Sequence, residues 1–366
     1  MNVRQGRFGW RMAAGALLVV AVMAAAAVPA PGRFQDPLSM PAEPLGGGLK
    51  ASGATLIGVA RDGFRTLAVG LRGLVVFSDD GERWEQASVP LQTDLVAVQL
   101  LDDRRAWASG HDYVILQSAD GGASWQRQFD RDAAKRHLPA YYGKRIAAGE
   151  SGLQRYLDEV RLNTDGEVSL PFLGIWFEDA KTGYAVGSFG MIVGTEDGGQ
   201  TWTPWLHRID NDDFRNLNSI RSINGQVYIA GEGGRVYRLS RDRGHFVQLP
   251  TGYNGTFFDI VGNQHCLIAF GLRGAAYRST DGGTSWQAVE TGFERSITAG
   301  AVLDGGRRIV LFSETGHAIE SLDNGVSFES VPFSPEVPVY GAAGSGGRTY
   351  TIVGPSGVQT HMAKKD

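Results

Sequence analysis

The sequence predicts an all-β fold, a seven-bladed β-propeller. Three observations predict it: an Asp-box motif recurs along the chain, its copies are spaced near 40 residues apart, and glycine is in large excess. The 366 residues include 51 Gly and 14 Pro, with 42% hydrophobic and 10% aromatic residues. An ordinary glycine share is about 7%, so many turns around a large apolar core are implied. The formal charge of −4 gives no global attraction to nucleic acid or to an anionic membrane surface.

The repeats carry the architecture. SADGGASW (Ser118 to Trp125), TEDGGQTW (Thr195 to Trp202), STDGGTSW (Ser279 to Trp286) and SLDNGVSF (Ser321 to Phe328) fit the Asp box, S/T-x-D-x-G-x-S/T-W. Degraded copies are SDDGERW from Ser78 and SRDRGHF from Ser240, and a last strand, GVQT, ends at Thr360. Counting from the leading Ser or Thr of each copy, the gaps are 40, 77, 45, 39, 42 and 39. A period near 40 with four strands per repeat is the propeller signature.

Within a repeat the order reads most clearly in the third. FLGIWF (Phe172 to Phe177) is an inner strand, YAVG a second, MIVGT a third, and TPW after the box begins a fourth. The box is the turn between third and fourth strands. Its Asp accepts from turn amides, its Gly takes positive φ and its Trp packs between blades. Asp80, Asp120, Asp197, Asp242, Asp281 and Asp323 are therefore expected to be structural.

Residues 1–33 read as a signal peptide or N-terminal anchor ahead of a propeller at 34–366. Arg4, Arg7 and Arg11 precede the uncharged stretch Met12 to Val28, the breakers Pro29 and Pro31 follow, and Ala25 to Ala27 suit cleavage. The protein is expected to be exported, to the periplasm or to a thylakoid lumen in a photosynthetic host. Membrane contact is expected only through an uncleaved leader or through a client. The sole cysteine, Cys266, lies in the strand-like HCLIAFG, so a buried thiol is expected and a lipobox anchor is not. Blade seven lacks a fourth strand, and the segment Asp36 to Gly48 is expected to supply it and close the ring.

The one long gap falls after blade two. The inserted segment, about 126–170, carries Leu153, Tyr156, Leu157 and Val160 at helical spacing, with Ser151 and Gln154 placed for a capping box. One amphipathic helix is expected, packed on its own propeller or facing a partner.

The pattern F-x-D-x-x-x-G-Y-A-V-G-x-x-G-x-I-x-x-T-x-D-G-G-x-T-W (Phe177 to Trp202), with G-L-R-G-x-x-x-x-S at Gly70 to Ser78 and at Gly271 to Ser279, resembles the photosystem II assembly and stability factor family. The resemblance covers nearly all of the mature chain. It implies a seven-bladed periplasmic or lumenal propeller that helps to assemble a membrane complex and has no known catalytic activity.

The competing reading is an Asp-box glycoside hydrolase, sialidase-like or glucanase-like, or a carbohydrate-binding propeller. Such enzymes need a carboxylate pair, or a Tyr nucleophile with an arginine cluster. The pairs Asp79/Asp80, Asp102/Asp103 and Asp212/Asp213 all fall in turns, no R-I-P motif is present, and sialidases have six blades. His111, His207, His265 and His317 are scattered among repeats without metal-ligand spacing. No enzyme activity, catalytic residue, metal or cofactor is expected, and no nucleic-acid partner.

What remains is surface. In a propeller the turns between second and third strands share a face with the connections between blades, opposite the boxes. Arg127, Arg131, Lys135, Arg136, Lys144 and Arg145 stand against only Asp130 and Asp132, a local excess of positive charge. Arg72 and Arg273 hold matching turns, and Arg215 and Arg295 lie in connections. With Arg131, Arg136, Arg145, Tyr141 and Tyr142, and Tyr156 beside them, they form the expected binding residues for a protein client, such as a membrane-complex subunit.

Overall fold

The computed structural model describes residues 35–45, 53–63, 65–166, 170–332, 337–344 and 346–364, so the expected leader lies outside the described residues. Within Asp36–Asp366 the strands fall into seven antiparallel sheets, each built from strands consecutive in sequence. Blade one runs Leu56–Asp62, Arg65–Gly70, Val75–Ser78 and Glu85–Gln86. The inner strands of the next five are Leu95–Leu100, Phe172–Phe177, Leu217–Ile223, Phe257–Gly262 and Ile297–Leu303, and Gly341–Gly344 is that of blade seven.

The second strand of a blade has a neighbour on each edge and a blade against each face, so it reads as a continuous apolar or small run rather than an alternating one. Ala106–Gly110, Gly183–Gly187 and Leu267–Gly271 are buried along their whole length. The glycine that ends this strand is demanded by space. A Cβ at Gly70, Gly187 or Gly271 would lie 2.3, 2.2 or 2.1 Å from the carbonyl oxygen of Thr55, Pro171 or Thr256, where the chain turns into the inner strand. Blade six carries Ser313 at the corresponding place.

Blades meet through large rings. Trp107 of blade two stacks on Phe177 of blade three at 3.7 Å, Phe177 meets Trp202 edge-on, and Tyr184 meets Trp205 and Phe246 of blade four edge-on. Such pairs add about 0.5–1.5 kcal/mol each beyond the area they bury. The box Trp125 is buried in the cluster that also holds Leu67 of blade one.

Ring closure departs from expectation. Blade seven has three strands among the described residues, Gly341–Gly344, Thr349–Gly354 and Gly357–Met362. The described residues of the N-terminal segment, 36–45, add no strand to it. Pro37–Ser39 forms a tight turn capped by Asp36. The Ala42 amide donates to the Val89 carbonyl at 3.0 Å, the Gln92 amide to the Pro37 carbonyl at 2.8 Å, and the Leu45 amide to Gln86 Oε1 at 2.7 Å. The segment therefore lies on blade one and its connection to blade two, drawn there by burial of Leu38 among Val89 and Leu91 and by the Asp36–Arg131 ion pair. Residues 46–48 lie outside the described residues. Blades one and seven close face to face instead: Leu56 and Val76 pack with Val353 and Val358, and Arg61 Nη1 donates to Thr351 Oγ1 at 3.3 Å.

The insertion also corrects its expectation, with two helices in place of one: α1 (Arg131–Ala147) and α2 (Gln154–Thr164). Asp130 caps α1, accepting from the Ala133 amide at 2.8 Å. α1 went unread because Pro139 interrupts it and charge dominates its sequence, while tertiary packing holds it. The expected capping box on α2 is not formed; the side chain of Gln154 donates to Asp158 instead. The apolar stripe faces inward. Leu138 and Tyr142 of α1, together with Leu153, Leu157 and Val160, are buried in the same cluster as Phe172, Trp202 and Leu206 of blade three.

Candidate binding face

The connection face is built from one turn used repeatedly. In blades one, three and five, second and third strands are joined at Leu71–Gly73, Ser188–Gly190 and Leu272–Gly274. The middle residue is left-handed in each: Arg72 at φ 55°, Phe189 at φ 54° and Arg273 at φ 56°. Blade four places Gly233 there. A side chain in this conformation costs about 1–2 kcal/mol, so the turns need bracing. Asp94 accepts the Arg72 amide at 2.8 Å and Asn216 accepts the Phe189 amide at 2.7 Å, each from just before the next blade's inner strand.

The turns also present apolar surface that sequence reasoning missed. Leu71, Phe189 and Leu272 are 42%, 50% and 37% exposed. The available signal was an apolar residue inside the turn: Leu71 and Leu272 at the place of Glu232 in blade four, and Phe189 at the place of Gly233.

The expected binding residues separate into two groups. Arg136, Arg273 and Arg295 are exposed and have no ion pair among the described residues. Arg72 is exposed and meets Glu43 at 3.0 Å. The others are engaged within the protein: Arg131 by Asp36 at 2.6 Å and Asp112 at 3.1 Å, Arg215 by Asp213 at 2.9 Å, and Arg145 by Glu150, with the Tyr141 hydroxyl at 2.8 Å. Tyr142 is no surface anchor. It is fully buried because α1 needs a large ring to seal it onto the propeller. Arg72 and Arg273 stand on blades one and five, on different sectors of the ring.

Under α1 lies the most perturbed histidine. His207 is surrounded by the rings of Tyr141, Tyr142 and Tyr156, with Tyr142 Oη 3.1 Å from Nδ1 and Arg145 Nη1 2.6 Å from Nε2. A guanidinium only donates, so Nε2 must be the acceptor, and the neutral ring carries its proton on Nδ1. Burial, reinforced by the Arg145 charge, pushes the His207 pKa down to about 4. The cluster latches the insertion to the connection between blades three and four; α2 adds Arg155, which ion-pairs with Asp212 at 3.0 Å.

The opposite face holds the boxes, and each full copy is wired alike. Asp120, Asp197, Asp281 and Asp323 each accept a backbone amide and a hydroxyl from the Ser or Thr four residues on, at 2.9–3.0 Å and 2.6 Å. The leading Ser or Thr donates to the same carboxylate at 2.8 Å. Donation from Ser285, hydroxyl and then amide, pulls the Asp281 pKa down to about 2. In the degraded boxes, Ser78 donates to Asp80 at 3.1 Å and Ser240 to Asp242 at 2.5 Å. The turn carboxylate pairs are likewise engaged: Asp79 by Arg65, Asp102 by Arg105, and Asp213 by Arg215 and Arg235. Cys266 is buried, and burial raises its pKa.

Part of the chain is similar to one protein family, and the fold as a whole is similar to several solved propellers. Residues 154–325 match the family described as photosynthesis system II assembly factor YCF48. The photosystem II assembly lipoprotein Ycf48 of Synechococcus sp. (strain CC9902) is 34% identical over 143 residues, 36% of this chain and 39% of that protein. The chain thus aligns with about two fifths of the relative's length. Among solved structures, YCF48 bound to D1 peptide superposes with a TM-score of 0.62 at 15% identity, over 86% of this chain and 94% of that one. YCF48 from Cyanidioschyzon merolae gives 0.59 at 17%, over 85% and 96%. The WD40 propeller domain of Doa1 gives 0.59 at 11%, over 86% and 94%, so likeness at this level carries the fold alone.

Proposed function

We propose that this chain, whose repeats at 154–325 match the photosystem II assembly factor family, is a non-catalytic, exported protein-binding factor that serves a membrane complex. Its connection face docks an acidic or amphipathic segment of the client. The observation that carries the reading is the pair of turns in which Arg72 and Arg273 are held left-handed and exposed, each beside an exposed leucine. That combination suits a peptide with both negative charge and apolar side chains, and electrostatics would act mainly on encounter and specificity. Exposed Lys135, Arg136 and Lys144 on α1 extend the positive surface. A photosystem II subunit is the client class to test first, and the D1 peptide carried by the YCF48 neighbour is a ready probe.

The test is titration of that peptide across a salt series. Arg72→Glu with Arg273→Glu should weaken capture at least tenfold at low salt, and Lys135→Glu with Arg136→Glu should weaken it less; thermal unfolding should stay near wild type in both. Wild-type capture by both folded variants would refute the reading.

A further inference from the structure

The inner strands surround a central channel whose two ends differ. On the box side it opens into a cavity of about 390 Å³, lined by Arg61, Gln99, Trp176, Arg221 and Ser222 among aliphatic residues. No carboxylate is among the described residues lining this mouth. Arg221 is neutralised from deeper in the channel, where Asp259 accepts from its Nε at 3.0 Å and its Nη2 at 2.7 Å. The Gln99 amide is occupied by the backbone of Phe177.

Arg61 is not neutralised. Its Nη1 donates to the neutral hydroxyl of Thr351 at 3.3 Å, its Nε is buried without a hydrogen-bond partner, and no carboxylate pairs with it among the described residues. Burial lowers its pKa, so the site works against the charge it holds. Arg61 is part-buried, and a partly desolvated charge with a buried orphaned donor is costly unless an anion answers it.

We propose that the box-side mouth of the channel binds a small organic acid, with its carboxylate on the Arg61 guanidinium and its apolar body against Trp176 and the aliphatic wall. One uncompensated positive charge calls for one negative charge, and a planar carboxylate matches the guanidinium fork. The walls explain why the anion is organic: Ile220, Ile260 and Val302 offer an inorganic ion nothing. The cavity falls in the size range of small-molecule sites, roughly 300–1,000 Å³.

Benzoate and its uncharged counterpart benzamide are the probes, titrated by calorimetry or ligand-observed NMR. Benzoate should bind one site with a Kd on the order of 1 mM, and benzamide should bind about tenfold more weakly or worse. Arg61→Gln should weaken benzoate by a similar factor. Ser222→Phe, at an exposed position on the opposite wall, should block the mouth without touching Arg61, which keeps the test decisive if Arg61→Gln folds poorly. Arg83→Gln on the outer surface should change nothing. Absence of saturable benzoate binding in the millimolar range, equal binding of benzamide, or wild-type binding by Ser222→Phe would each overturn the proposal.

Discussion

The two faces of the propeller are made by the same repeat and are built to opposite rules. On the box face, polar side chains are consumed by the chain that carries them: the carboxylate of Asp197 takes an amide and two hydroxyls from its own turn. On the connection face, the turns of blades one and five lift Arg72 and Arg273 into a conformation that glycine adopts freely, with Leu71 and Leu272 exposed beside them. One face closes hydrogen bonds within each repeat, and the other holds side chains out at an energetic cost. That asymmetry distinguishes the two faces better than composition does, since Asp and Arg are both common turn residues.

The sharpest way to break the comparison is beneath the connection face. Gly187 precedes the blade-three turn, and Gly187→Ala would force a Cβ to 2.2 Å from the Pro171 carbonyl. We expect a loss of about 3 kcal/mol in chemical denaturation, whereas Ser313→Ala in blade six, where no glycine is required, should cost about 1 kcal/mol or less.

The His207 latch should show itself through pH. The unfolded chain takes up a proton near the ordinary histidine pKa, while the folded protein resists until about pH 4, so the stability that neutral His207 contributes should be lost as pH drops from about 6.5 to 4. His207 is partly accessible, and we expect a loss of about 2 kcal/mol across that window. The slope should shrink in His207→Gln; an unchanged slope would show that the latch does not titrate.

Removing one box should have a moderate, local effect. Asp197→Ala leaves the Thr201 amide and two hydroxyls without their acceptor, and should cost about 1–2 kcal/mol with client capture per folded molecule unchanged. A loss of capture at full stability would erase the distinction between the faces.

The smallest expected change in stability is the most informative. Arg72→Gly and Arg273→Gly relieve left-handed strain while adding freedom to the unfolded chain, so stability should stay within about 0.5 kcal/mol of wild type. Capture of the peptide should nevertheless weaken. A marked drop in stability would mean that these arginines brace the turns rather than serve a client.

Much of this architecture was legible in the chain because its determinants are local. An Asp box closes its hydrogen bonds within a few residues, so Asp120, Asp197, Asp281 and Asp323 could be assigned to turns, and their spacing counted blades. The long gap after blade two located the insertion, and the G-L-R-G turns located Arg72 and Arg273. What depended on distant partners was decided only in three dimensions. Asp36 and Leu38 bind blade one and the insertion because Arg131, Val89 and Leu91 meet them there, and no local pattern encodes that choice. α1 forms despite Pro139 because Leu138 and Tyr142 gain burial against blade three. The same burial removes Tyr142 from the surface, while Asp36, Asp112, Glu150 and His207 occupy Arg131 and Arg145. Whether an arginine is available depends on which carboxylates the fold brings within about 4 Å of it and on how far the pair is buried, since an exposed pair such as Arg72 with Glu43 is held only weakly. Both are properties of tertiary structure alone.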